Sequence, residues 1–203
     1  MRAALAFGLA AAALSAGCSV FAPVRVDTTS YVLDKVPAGV NATAPAGSPV
    51  LSVPVPDAAP LYATRQMAYS TEPHQIGHFN ESEWALPPAQ MIHPLLVGTL
   101  RGTGRFTVAD PAAPVRGGFV LRTEVLEVLQ DFTAQPALFR LRMRVSLERG
   151  ADHALVAARE LSATEPLREN TARAGVAAGN EATGKLLRDV AAFAVENAQR
   201  SAR

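Results

Sequence analysis

The chain is poor in the residues that most often announce chemistry. One cysteine stands in 203 residues, which excludes an intramolecular disulfide and any multi-cysteine zinc site. Aromatic residues make up only 6%. An excess of either charge is missing too. Nineteen Lys and Arg against 18 Asp and Glu leave a formal net charge of +1, so no global field draws the chain to nucleic acid or to an anionic membrane. What is abundant is apolar: 49% of residues are hydrophobic, too many for a disordered chain. Fifteen prolines and 14 glycines call for short elements joined by many turns. The length fits one domain of about 100–200 residues.

The first segment reads as an address. Arg2 precedes an alanine-rich apolar stretch that ends in Leu14-Ser15-Ala16-Gly17-Cys18, and no further charge occurs until Arg25. The apolar run is shorter than the ~20 residues of a spanning helix, so it matches a secretory h-region. Small residues then lead directly to the sole cysteine. This pattern resembles a bacterial lipoprotein signal, with Ser15 standing where Leu is usual. The resemblance implies that residues 1–17 are removed and that Cys18 is lipidated, leaving 186 residues. Ser19, rather than Asp, follows the cysteine, which resembles the outer-membrane sorting signal of Gram-negative systems. Two or more acyl chains, at ~0.8 kcal/mol per buried methylene, anchor a protein stably. The competing reading is a buried free cysteine in an ordinary N-terminal helix. On the lipoprotein reading the chain works in the periplasm, without ATP.

Residues 18–29 then form a tether, and 30–203 the working domain. Tyr31-Val32-Leu33 reads as a brief strand, 37–49 as a loop, and Leu51 to Val55 as a strand whose Pro54 suggests an edge. Tyr62 to Tyr69 is a further strand, and 70–86 a polar loop. A helix starts at Pro87-Pro88 and ends at Gly102 and Gly104, with Pro94 predicting a kink or a later start. Gly118 to Asp131 forms a strand whose apolar residues change parity near Val125, as a bulge would cause. Phe139, Leu141, Met143, Val145 and Leu147 alternate with Arg140, Arg142, Arg144, Ser146 and Glu148, which predicts an antiparallel strand with one wet face. Gly150-Ala151-Asp152 turns it into a partner over Leu155 to Leu161. A long amphipathic helix spans about Thr171 to Gln199, with Gly175, Gly179 and Gly184 placed for close approach to the sheet. The expected fold is α+β: a largely antiparallel sheet of five to six strands, with two main helices on one face.

Sites for chemistry are few. Gly179 to Lys185 matches most of a phosphate-binding loop, but Leu186 occupies the place of the magnesium-binding hydroxyl and the segment before it is helical in period. His74 and His78, with Glu72, Glu81 and Glu83, are the densest set of metal-type ligands. Pro73 and the lack of helical amphipathicity favour a solvated loop over a metal site. His93 and His153 stand alone. There is no Gly-x-Ser-x-Gly elbow and no dinucleotide fingerprint. Nothing specifies a catalytic residue, a metal or a cofactor. Arg140, Arg142 and Arg144 project from one strand face at about 7 Å intervals. They make either a solvated face paired with neighbouring acids, or a contact surface for an acidic partner or lipid head groups.

Several short stretches together resemble the ABC-type transport auxiliary lipoprotein family of the paraquat-inducible C type. They are Tyr31-Val32-Leu33, Leu51-Ser52-Val53, Pro60-Leu61-Tyr62, Met67-Ala68-Tyr69, Glu83-Trp84-Ala85 ahead of a helix with Met91 and Leu95, Phe119-Val120-Leu121, Asp131-Phe132 and Ala177 to Phe193. Leu86 stands where an acid often follows the Trp-Ala pair. The resemblance implies a non-enzymatic, outer-membrane-anchored docking component. Its implied partners are a mammalian-cell-entry-type periplasmic protein with its ABC ATPase and permease, moving lipids or other hydrophobic molecules, and self-association is left open. The rivals are a stand-alone carrier of a hydrophobic ligand, and a periplasmic hydrolase or metal enzyme resting on His74 and His78.

Overall fold

The computed structural model describes residues 27–37, 42–109 and 117–201. Cys18, the signal segment and most of the tether lie outside the described residues. In chain order the elements are β1 (Thr29–Tyr31), β2 (Val50–Ser52), β3 (Asp57–Ala58), β4 (Gln66–Ser70), β5 (Gly77–Trp84), α1 (Pro88–Gly102), β6 (Thr107–Ala109), β7 (Phe119–Asp131), β8 (Leu138–Arg149), β9 (Leu155–Pro166) and α2 (Ala172–Ser201). A short 3-10 turn at Pro60–Tyr62 separates β3 from β4.

The thirteen residues of β7 are the spine of one sheet. Along one edge β7 pairs antiparallel with β8, and β8 with β9. Along its other edge three short strands follow one another, β2, β3 and β4, all parallel to it. Pro54, Pro56 and Pro60 explain the interruption, because proline has no N–H to give to a ladder and forces the chain off the edge and back. Farther out, β6 pairs parallel with β2, β5 antiparallel with β4, and β1 parallel with β5.

Two expectations about the sheet are therefore corrected. Among the described residues it has nine strands and is mixed, not largely antiparallel with five or six. α1 ends beside the start of β2, so β6 runs parallel to β2, and β7 begins opposite Leu51 and runs the same way. Pro54 does not mark an edge, since β2 lies between β6 and β7 and stops at Ser52. The polar stretch after residue 76 is not a loop but β5. Of its eight residues only Trp84 is buried, so backbone pairing with β4 and β1 holds it without the apolar alternation that would announce a strand.

The longer strands follow their sequence pattern. The register of β7 against β8 shifts between Val125 and Glu127, where the parity changes. Phe139, Leu141, Met143, Val145 and Leu147 are all buried on one face of β8, each contributing roughly 1.5–3 kcal/mol through burial. At the start of β7, Gly118 has φ +82°, and a Cβ there would sit 2.1 Å from the Val50 carbonyl oxygen. Only glycine fits that approach.

Both helices cover the buried face. α1 has Pro88 in its first turn and continues through Pro94, burying Met91, Ile92, Leu95, Leu96, Thr99 and Leu100. α2 buries Ala178, Ala182, Leu186, Leu187, Val190, Phe193 and Ala194. It lies close to the sheet because a Cβ on Gly179 would come within 2.8 Å of the Phe139 ring. No helix among the described residues is long and apolar enough to cross a membrane.

Candidate partner-contact site

The face of the sheet away from the helices carries the three arginines of β8. Their neighbours are set by register: Arg144 lies between Glu124 and Glu160, Arg142 between Glu127 and Ser162, and Arg140 between Leu129 and Thr164. Ion pairs follow from these positions. Arg144 donates through Nη1 to Glu124 Oε2 and through Nη2 to Glu160 Oε1, both at 2.8 Å. Arg142 lies 3.4 Å from Glu127 and 3.6 Å from Glu160. Arg140 donates to Asp131 Oδ2 at 2.7 Å and lies 3.6 Å from Glu127. Arg122 on β7 pairs with Glu148 at 3.1 Å.

The stripe is thus a ladder of alternating charge. Four arginines meet five carboxylates, so these groups together sum close to −1. The arginine side chains remain about half exposed, at 46%, 48% and 53% for Arg140, Arg142 and Arg144. Water screens such pairs and they stabilise the fold little. Each guanidinium carries five donors and uses only some of them.

One end of the ladder is built more firmly. Burial pushes the Asp131 carboxyl up, but hydrogen bonds from the Thr133 hydroxyl, Arg140 and the Thr133 N–H outweigh it and hold the carboxyl below its usual range. The Asp131 hydrogen bond in turn raises Arg140. Tyr62 stands beside the ladder, its phenol pushed up by burial and by the Glu127 charge. Neither Tyr62 nor Asp131 carried a sequence signal for this place, because register alone brings residues 62, 127, 131 and 140 together.

Asn180 is a second residue that sequence reasoning missed. Its Oδ1 accepts from the N–H groups of Asp34 (2.9 Å) and Lys35 (3.0 Å), and its Nδ2 donates to the Val32 carbonyl at 3.2 Å. Lys35 also pairs with Glu181 and holds that carboxyl low. The segment after β1 is thereby strapped across α2. Asn180 lies within the Gly179–Lys185 motif, which is one continuous stretch of α2 and forms no phosphate loop.

The histidines do not converge on a site. His74 lies in a turn with φ +66° and His78 in β5, so they do not share a helix face. Among the described residues no group of three or more His, Cys, Asp or Glu is placed to hold a metal. His93 Nε2 hydrogen-bonds the Val53 carbonyl at 2.8 Å. An open groove of about 440 Å³, lined by Phe106, Phe119, Val195 and Ala198 among others, lies at the α2 C-terminus. A more polar cleft of about 640 Å³ flanks the α2 N-terminus.

With this geometry in place, comparison with known families is decisive. The profile of the ABC-type transport auxiliary lipoprotein component family matches residues 31–191. The chain belongs to that family. The fold agrees with solved structures. Protein XCC0632 from Xanthomonas campestris, of the DUF330 family, superposes with a TM-score of 0.71 at 17% identity, over 86% of this chain and 99% of that one. An uncharacterized protein superposes at 0.61 and 15% identity, over 86% and 98%. The hypothetical protein CT253 from Chlamydia trachomatis does so at 0.54 and 12%, over 75% and 98%. These likenesses concern the fold. No curated protein sequence is significantly similar to the chain. As a member of an auxiliary lipoprotein family, the protein is a component of ABC-type transport at the cell envelope.

Proposed function

We infer that this auxiliary lipoprotein is a non-enzymatic docking component, anchored through a lipidated Cys18 in the outer membrane and facing the periplasm. It works beside a mammalian-cell-entry-type protein and its ABC ATPase and permease, which move lipids or other hydrophobic molecules. Residues 1–17 are the removed signal, 18–29 the tether and 30–203 the docking domain. The observation that carries this reading is the family match, which begins thirteen positions after the only cysteine. Arg140, Arg142 and Arg144 are the contact surface. The exposed guanidiniums of Arg142 and Arg144 exchange internal carboxylates for those of a partner at little cost, since exposed pairs are weak, while Arg140 is held more firmly by the nearly buried Asp131. A stand-alone carrier would need an enclosed apolar chamber. The space between sheet and helices is instead occupied by Leu96, Leu121, Phe139, Met143 and Leu186, all buried.

Two variants test the reading. Cys18→Ser is expected to lose labelling by radioactive palmitate and to leave the membrane fraction; retention of both would refute the anchor. Arg142→Gln and Arg144→Gln together are expected to keep the melting temperature within a few degrees while partner recovery falls several-fold. The neutral change is preferable to Arg→Glu, which would set new carboxylates beside Glu124, Glu127 and Glu160. Unchanged recovery would remove the arginine surface from the account.

A further inference from the structure

Tyr69, Phe79 and Phe132 form an aromatic cluster at one end of the sheet. The Tyr69 ring lies 4.7 Å from Phe79 and 6.0 Å from Phe132, and Phe79 lies 6.3 Å from Phe132. All three are only partly buried, and Ile76 beside them is 42% exposed. Gly77 makes room for the cluster: a Cβ there would sit 2.6 Å from the Tyr69 ring. Three rings in contact at the rim of a domain in which only 6% of residues are aromatic are a concentrated apolar surface.

The register shows which way this surface looks relative to the tether. β1 runs parallel to β5, with Thr29 opposite Ser82 and Tyr31 opposite Trp84. The chain therefore enters the fold from the side on which β5 begins, toward Gly77. Ser82 is three residues from Phe79, about 10 Å along the strand. Gly77 is paired with Tyr69, and Tyr69 with Gln130, two residues before Phe132. Entry point and cluster thus share one end of the sheet. Eight residues, 19–26, separate Cys18 from Asp27, and nine Cα–Cα steps reach at most about 32 Å. The opposite end carries the start of β7, the end of α2 and the groove at Phe106 and Val195, roughly 40 Å away along β7.

We propose that the Tyr69–Phe79–Phe132 end, with Ile76, rests on the bilayer that holds the lipid anchor. This inference depends on the lipidation of Cys18 given above. Aromatic side chains settle at the membrane–water interface, where an apolar body and a polar tip are both accommodated. Charges at this end are mixed: Arg168 and Arg173 line one cleft with Glu165 and Glu169, and Glu72 follows the end of β4. The contact is therefore apolar and does not need anionic lipid. It turns the tether from a leash into an orienting device. The domain stands upright, its arginine ladder faces sideways toward a neighbour, and the groove at the α2 C-terminus points into the periplasm.

The test uses the full-length lipidated protein in phosphatidylcholine vesicles. An environment-sensitive fluorophore is attached by thiol chemistry to Gln75→Cys at the aromatic end or to Gln199→Cys at the other, and brominated lipid serves as quencher. The expected result is several-fold stronger quenching and a blue-shifted emission at position 75, retained without anionic lipid and reduced by Ile76→Asp. Equal, weak quenching at both positions with protein still floating on the vesicles would overturn the orientation while leaving the anchor intact. Stronger quenching at 199 would invert it. A chain without either substitution that takes the thiol label at Cys18, or fails to float, would refute the anchor and this inference with it.

Discussion

Asp131 is the one carboxylate of the arginine ladder that is nearly buried, with 7% of its side chain exposed. Its proton equilibrium makes a sign-definite prediction. The folded state holds this carboxyl below its ordinary value of about 4, so the stability it contributes is present above that value. That stability is lost as pH falls through the lower folded value. Asp131→Asn is therefore expected to flatten the loss of stability as pH falls below about 4, measured as melting temperature against pH. A curve that superposes on the unsubstituted one would contradict the assignment. Asn180 gives a second test at this scale. Asn180→Ala removes the acceptor of the exposed N–H groups of Asp34 and Lys35, which is expected to cost about 0.5–1.5 kcal/mol. Hydrogen exchange at residues 32–35 should accelerate. Exchange limited to some other segment would mean the strap is held elsewhere. Neither residue was legible in the sequence, since an isolated Asn or Asp acquires its partners only once strands and helices are set against one another.

At the scale of elements, the glycines of α2 separate propensity from packing. A Cβ on Gly184 would meet nothing within 4 Å, so Gly184→Ala is expected to stabilise by up to about 1 kcal/mol through helix propensity. Gly179→Ala gains the same propensity but drives a methyl into the Phe139 ring, and is expected to destabilise by about 1–3 kcal/mol. Urea denaturation of both variants decides the matter; equal effects would mean that the helix does not seat against β8 as described. The sequence made α2 and the strands β7 and β8 legible because period and parity report burial directly. The bulge near Val125 was readable for the same reason. β5 was not, because a strand close to the sheet edge with both faces half wet has no alternation to show. β2 and most of β4 were readable as strands, but their parallel pairing with β7 was hidden, since strand direction depends on how the connections return the chain.

For the whole molecule, membership in the auxiliary lipoprotein family joins the separate features. A segment after β1 strapped to α2 and a mixed sheet with a charged open face suit a part that holds others in place. The family was recognisable in the sequence through short stretches spread along the domain, although none of them is a site. The arginines were legible as a stripe, and pairing with neighbouring acids was one of its two readings, but the acids themselves, Glu124, Glu127, Asp131 and Glu160, lie on flanking strands and emerged only with the register. The proposed role is the docking of a mammalian-cell-entry-type transport system by a lipid-anchored domain. Crosslinking in living cells, followed by affinity purification of the full-length lipidated protein and mass spectrometry, tests it most directly. Such a periplasmic protein is expected to be recovered together with its ABC ATPase and permease. Recovery of the lipoprotein with lipid alone would contradict the docking role and make the protein a carrier.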